Sequence, residues 1–270
     1  MRHPRPVFRF APSPNGRLHL GHAYSALLNQ HLAKAAGGHF LLRIEDIDQT
    51  RCTRGLGEAA MEDLRWLGLR WDGAVRWQSE HLTDYHAAQA RLTALGLTYP
   101  CTCSRKELSA RPGTAIDPEG QPLYPGTCRT RGARPGLPAS LRLDMAWAAA
   151  GRHLTMHEDE AEKPVDPCAW GDVIIARKDI GTSYHVAVSV DDALQGVTHV
   201  VRGLDLRAAT AIHRLVQDVL CLPVPRYHHH ALIRHGTGRK LAKSQGDQSL
   251  ADLRAQGLSA ADIRASLGFS

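Results

Sequence analysis

"FAPSPNGRLHLGH", residues 10–22, places two prolines, two glycines and two histidines between an apolar stretch and an amphipathic one. On its N-terminal side, "VFRF" (7–10) reads as a short buried strand. On its C-terminal side, "GHAYSALLNQHLAKAA" (21–36) has apolar residues at helical spacing, and Gly37 and Gly38 stop it. A glycine-rich turn from strand to helix gathers backbone N–H groups and the positive end of the helix at one point, which suits a phosphate. His19 and His22, three residues apart, would lie on one side of that point and could donate hydrogen bonds to a phosphoryl group as charge builds on it. Taken alone, two of sixteen histidines beside a helix start also fit an ordinary surface.

Working outward, "HFLLRIED" reads as a second strand and "TRGLGEAAMEDLRWLGL" as a second helix. Strand, loop, helix, strand, helix is the start of an open parallel α/β sheet. From about residue 77 the character changes to a helix near 80–95 and then a loop-rich stretch containing Cys, Gly and Pro. After it, "WGDVIIARKD" and "SYHVAVSVDDALQG" look strand-like and "AATAIHRLVQDVL" helical. The expected fold is therefore α/β: a Rossmann-type parallel sheet interrupted by a small insertion that holds a metal, with a short C-terminal helical segment. The expected divisions are 1–76 and 169–235 for the two halves of the sheet domain, 77–168 for the insertion and 236–270 for a basic loop and weak helices.

The 270 residues are 43% hydrophobic and 22% charged, ordinary for a globular protein, and 33 Lys and Arg against 27 Asp and Glu favour a polyanionic partner only mildly. No apolar run approaches a membrane span, and "MRHPRPVFRF" lacks a signal peptide's apolar centre, so a cytoplasmic protein is expected. The six cysteines are then thiols or metal ligands rather than disulfides. Cys101, Cys103 and Cys128 cluster in the loop-rich segment, and three thiolates there suit a structural zinc ion that would compensate for a core too small to fold alone.

A second basic stretch, "GRKLAKS" (238–244), sets Lys240 and Lys243 three residues apart, where they could neutralise a leaving pyrophosphate; alone it reads equally as a solvated loop. Together, "HLGH" (19–22) and "KLAKS" (240–244) resemble the paired HIGH and KMSKS signatures of class I aminoacyl-tRNA synthetases. More narrowly, "RFAPSPNGRLHLGH", "LLRIEDIDQTR" and "SYHVAVSVDDALQGVTHVVRG" resemble the catalytic domain of glutamyl-tRNA synthetases. KLAKS departs from the family pattern at Leu241 and Ala242 but keeps both lysines. In the full-length enzymes an anticodon-binding region follows this loop. Only 26 residues follow Ser244, so no such domain is expected, as in a stand-alone truncated branch of the family.

That resemblance implies ATP-dependent activation of L-glutamate, with Mg²⁺ on the ATP phosphates, and transfer to the queuosine base in the anticodon of tRNA(Asp). It implies catalytic and ATP-binding roles for His19, His22, Lys240 and Lys243. It implies a glutamate pocket from Arg9, Phe10, Ala11, Pro12, Ser13, Glu45, Tyr184 and Arg202. The two arginines suit the side-chain carboxylate by fork geometry and Glu45 suits the ammonium group. The bland alternatives are Arg9 capping a sheet edge, Glu45 pairing with Arg43 or Arg51, and Tyr184 in the core. The family pattern also places a tyrosine four residues before the last cysteine, which makes Tyr124 the fourth zinc ligand. Asp46 and Asp48 read as structural ion pairs rather than a metal site. The three histidines of "RYHHHALIRH" (226–235) cannot all face one way on a strand, and none is assigned as a ligand. Competing expectations are a truncated synthetase that charges a tRNA acceptor end and a catalytically retired paralogue that only binds RNA. A monomer is expected.

Overall fold

The computed structural model describes residues 5–109, 115–233 and 248–269, and contacts divide the chain into two units: 1–80 with 197–207 and 225–270, and 81–196 with 208–224. Among the described residues, the first unit holds five parallel strands. Counted along the chain they are Val7–Phe10, His39–Ile44, Arg76–Trp77, His199–Gly203 and Arg226–His230, and they lie side by side in the order 3-2-1-4-5. The order reverses between strands 1 and 4. In sheets of this kind the crevice at that reversal, beyond the carboxyl ends of the strands, is where ligands bind.

The register segregates the two faces of the sheet. Phe8, Phe10, Phe40, Leu42, Ile44 and Val201 enter one hydrophobic cluster, joined by Ala23, Ala26 and Leu27 of the first helix, Leu20–Ala35. Each of these side chains is nearly solvent-free, so its burial contributes roughly 1.5–3 kcal/mol for the larger ones relative to exposure. Gly37, at φ +59°, ends the helix in a left-handed turn. Gly38 then lets the chain pass Pro6, whose carbonyl oxygen would sit 2.3 Å from any Cβ there. Asn29 ties the same helix to strand 4 by donating to the Val201 carbonyl at 3.0 Å.

Thr53 caps the second helix, Arg54–Trp66, and Gly57 admits the Trp77 ring, which lies 2.4 Å from where a Cβ would stand. After Gln248 the chain forms two short helices, Leu250–Ala255 and Ala260–Ser266. Each opens on a Ser–Asp capping box, and they add Leu250, Leu253 and Ile263 to the core.

The second unit contains the helix Leu82–Ala94 and an antiparallel sheet of Thr98–Cys101, Ser140–Leu143 and Ile174–Ala176. It also contains a hairpin, Thr155–Glu158 with Ala161–Pro164, and the helices Tyr184–Leu194 and Thr210–Val219. Residues 184–194 are helical, contrary to the strand-like reading of "SYHVAVSVDDALQG". Val186, Val188 and Val190 alternate as a strand's would, but Ala187, Ser189, Asp191 and Asp192 are buried too, so burial on all sides erases the helical period. No described helix is long and apolar enough to cross a membrane.

Candidate active site

The loop 11–19 leaves the carboxyl end of strand 1 and delivers His19 to the start of the first helix. His19 is the N-cap residue, and its Nδ1 accepts the Gly21 N–H at 3.1 Å; the Nδ1 of His22 accepts the His19 N–H at 3.2 Å. Glycine at position 21 suits that closeness, because a Cβ there would stand 3.0 Å from the His19 ring and the ring would have to shift. The two rings lie 3.9 Å apart between centroids. Because both Nδ1 atoms accept backbone hydrogens, the proton of each neutral ring sits on Nε2. The helix cap thus turns two imidazoles into two Nε2–H donors at a helix N-terminus, an arrangement suited to a phosphate chain.

The polar face of the sheet carries the charges. Arg9 pairs in register with Leu41, so Arg43, two residues further on, shares its face, and Glu45 follows just past the strand end. Phe8 pairs with His199, which puts Arg202 on that same face; His229 lies opposite Arg202 on strand 5. Arg9, Arg43 and Arg202 are 5%, 0% and 5% exposed and Glu45 9%. Three guanidiniums and one carboxylate, nearly removed from water at the strand reversal, suit an anionic ligand with a cationic group. Arg43 Nη2 bonds Glu45 Oε1 at 3.2 Å, so the pairing considered for Glu45 is realised. Arg9 lies on a central strand and caps no sheet edge.

Phe10 is buried in the core, and Ala11 to Ser13 begin the loop. The Pro12 carbonyl accepts the Glu45 N–H at 3.0 Å, and the Ser13 hydroxyl lies 3.4 Å from the thiol of buried Cys52. Asp48 forms the expected ion pair, whereas Asp46 bonds to Ser79 rather than to an arginine. Asp46 accepts both the N–H and the hydroxyl of Ser79, and Asp48 accepts from Thr50 and pairs with Arg51 at 2.8 Å.

Lys240 and Lys243 lie outside the described residues, which resume at Gln248. There Ser249 bridges His19 and the Leu250 N–H donates to the Leu18 carbonyl at 2.8 Å, so Ser249 and Leu250 are tied to the start of the HLGH motif. Tyr184 belongs to the second unit. It is the first residue of its helix, half-buried, with its ring edge-on to His185 and His213 at 5.5 Å each.

The cysteine cluster is assembled within the second unit. Cys101 ends one strand, Cys103 follows it, and Cys128 comes from the short helix Thr127–Arg131; their sulfurs all lie within 4.8 Å of one another. Cys103 and Cys128 are 3.6 Å apart, close to the edge of about 3.8 Å that a tetrahedron with 2.3 Å zinc–sulfur bonds requires. The Tyr124 hydroxyl is 3.4 Å from Cys101 and 3.8 Å from Cys103, and it accepts the Cys128 N–H at 2.7 Å. Three sulfurs and one oxygen therefore lie close enough together to be candidate ligands of one metal ion.

Sequence reasoning missed the support behind that oxygen. The Arg142 guanidinium lies 3.6 Å over the Tyr124 ring and donates to the Asp172 carbonyl, while the Asp172 carboxylate accepts from Tyr99 and pairs with Arg129 at 3.2 Å. Burial, reinforced by its bond with Cys128, pushes the Cys103 thiol up to about 11. For Cys128, burial acts upward but is outweighed by hydrogen bonds, that of Tyr124 foremost, and its thiol is drawn down to about 6. The hydrogen bonds that lower Cys128 are the kind that favour its thiolate, the form a metal ion takes as ligand.

The 3-2-1-4-5 sheet, the imidazole pair at a helix start and the charged face at the strand reversal define a class: Rossmann-type α/β proteins with a site suited to a phosphate chain beside a charged small ligand. Residues 7–265 match the family described as tRNA synthetases class I (E and Q), catalytic domain. The glutamyl-Q tRNA(Asp) synthetase of Rhodobacter capsulatus is 48% identical over 97% of this chain and 99% of its own length. That of Symbiobacterium thermophilum is 44% identical over 93% and 82%. The chain belongs to the class I tRNA synthetases of the E and Q type and, within them, to the glutamyl-Q tRNA(Asp) synthetase family. Among solved structures, the glutamate-tRNA synthetase of Elizabethkingia anophelis superposes with a TM-score of 0.74 at 26% identity. The alignment covers 90% of this chain and 53% of that one, so the chain spans about half the length of the solved enzyme.

Proposed function

We propose that this chain activates L-glutamate with ATP and transfers it to the queuosine base in the anticodon of tRNA(Asp). The end-to-end similarity to the Rhodobacter relative carries the reading. In the first step a glutamate α-carboxylate oxygen attacks the α-phosphorus of ATP. An O–P bond forms, the bond to pyrophosphate breaks, and a glutamyl-adenylate results. In the second step a nucleophile on the modified base attacks the glutamyl carbonyl and AMP leaves. The Nε2–H donors of His19 and His22 face the phosphates as charge develops, and Lys240 and Lys243 hold the leaving groups. Mg²⁺ would accompany ATP and offset the charge of its phosphates. Arg9 and Arg202 take the γ-carboxylate, Glu45 takes the ammonium group, and the Phe10–Ser13 segment backs the substrate.

Cys101, Cys103, Cys128 and Tyr124 would hold one zinc ion, whose contribution is to fix the loop-rich segment that bears them. We read the protein as a cytoplasmic monomer. The acceptor-charging alternative differs in where the amino acid ends up, which gives the test. Labelled glutamate is transferred to queuosine-containing tRNA(Asp) and the RNA is cut by a nuclease into anticodon and 3′-terminal fragments. Label in the anticodon fragment is the expected result; label in the 3′-terminal fragment would replace this reading with acceptor charging.

A further inference from the structure

We infer that His229 is a positioning residue for Arg202, setting the plane in which its guanidinium meets the substrate carboxylate; this rests on the reading of Arg202 as part of the glutamate pocket. The two residues are directly opposed on adjacent parallel strands, and Arg202 Nε donates to His229 Nε2 at 3.3 Å. An arginine has four soft torsions before its planar head, and freezing them costs free energy on binding unless the protein has already done so. A bond to Nε fixes the plane and aims the two terminal nitrogens away from the partner, which is the edge a bidentate carboxylate needs.

The surroundings hold the imidazole itself in place. The Tyr227 ring runs parallel to it, 4° off, with centroids 6.0 Å apart, and Tyr227 also lies 5.7 Å from the Arg202 guanidinium carbon. His229 thus differs from its neighbour His230, which faces the other side of the sheet and meets the Tyr24 ring edge at 5.1 Å. The alternation of the strand singles out one histidine of the three for this task. To accept from Arg202, the ring must be neutral at Nε2 and carry its proton on Nδ1.

The test is steady-state ATP–pyrophosphate exchange on the full chain. A glutamine can place its carbonyl oxygen near the former Nε2, whereas asparagine reaches only as far as Nδ1. His229→Gln is expected to stay within threefold of the parent in KM for glutamate. His229→Asn and His229→Leu are expected to raise it tenfold or more, with kcat and the KM for ATP within about twofold. The double variant Arg202→Ala/His229→Leu is expected to be no worse than Arg202→Ala alone, since both changes remove one shared function. Equal behaviour of His229→Gln and His229→Asn, or additive losses in the double variant, would overturn the inference. If Arg202→Ala leaves the KM for glutamate unchanged, the pocket assignment fails first and takes the inference with it.

Discussion

A Cys101→Ser/Cys103→Ser variant is expected to purify without zinc and to lose the ordered structure of residues 115–143, whereas the parent chain is expected to carry about one zinc per molecule. The size of the effect follows from how little else holds this region. Between residues 115 and 139 only Gly126 and Cys128 are buried, so there is almost no apolar area to offset the entropy of ordering some two dozen residues. Structural zinc in small domains has an apparent binding free energy of about 10–16 kcal/mol, far beyond what two buried residues supply. Tyr124→Phe isolates the fourth corner. It keeps the ring beneath Arg142 but removes the oxygen that lies 3.4 Å from Cys101, so zinc should remain bound yet be stripped by a weaker chelator than the parent requires. Metal analysis of protein purified without chelators checks the first statement; absence of zinc from the parent chain would refute the site.

The phosphate motifs yield the other large effect. Removing one donor aimed at a developing oxyanion typically costs a factor of about 10²–10³ in turnover, and Lys243→Ala is expected to lower glutamyl-adenylate formation by that much while leaving thermal stability unchanged. His22 allows a cleaner separation, because its two nitrogens have different work. Nδ1 accepts the His19 N–H and Nε2 carries the outward proton. His22→Asn can keep the acceptor near Nδ1 and loses the outward donor, so the protein should melt near the parent temperature and exchange pyrophosphate about 10²-fold more slowly. His22→Gln can restore a donor near Nε2 and loses the cap, so it should keep more activity than His22→Asn and lose about 0.5–2 kcal/mol of stability. If both variants are equally active, His22 serves the fold and not the phosphates.

Much of this was legible in the residues because local signals agreed with the global fold. The strand, the Gly/Pro loop and the helix of residues 7–36 each announce themselves, and the sulfurs of the three cysteines that cluster in one segment of the sequence lie within 4.8 Å of one another in the fold. What was not legible depends on register. That Arg9, Arg43, Glu45 and Arg202 share one face while Phe8, Phe10, Leu42 and Val201 share the other follows from which residues pair across strands nearly two hundred positions apart. The Arg202–His229 bond and the Arg142–Tyr124 stack are long-range in the same sense. The helix Tyr184–Leu194 was misread for a different reason: a segment buried on every side has no polar face, so its sequence carries no period to read.

The most direct measurement is transfer of labelled glutamate, with ATP, to three RNAs: tRNA(Asp) containing queuosine, the same tRNA lacking it, and tRNA(Glu). The account predicts label on the first alone. Label on tRNA(Glu), or equal label on tRNA(Asp) with and without queuosine, would contradict it.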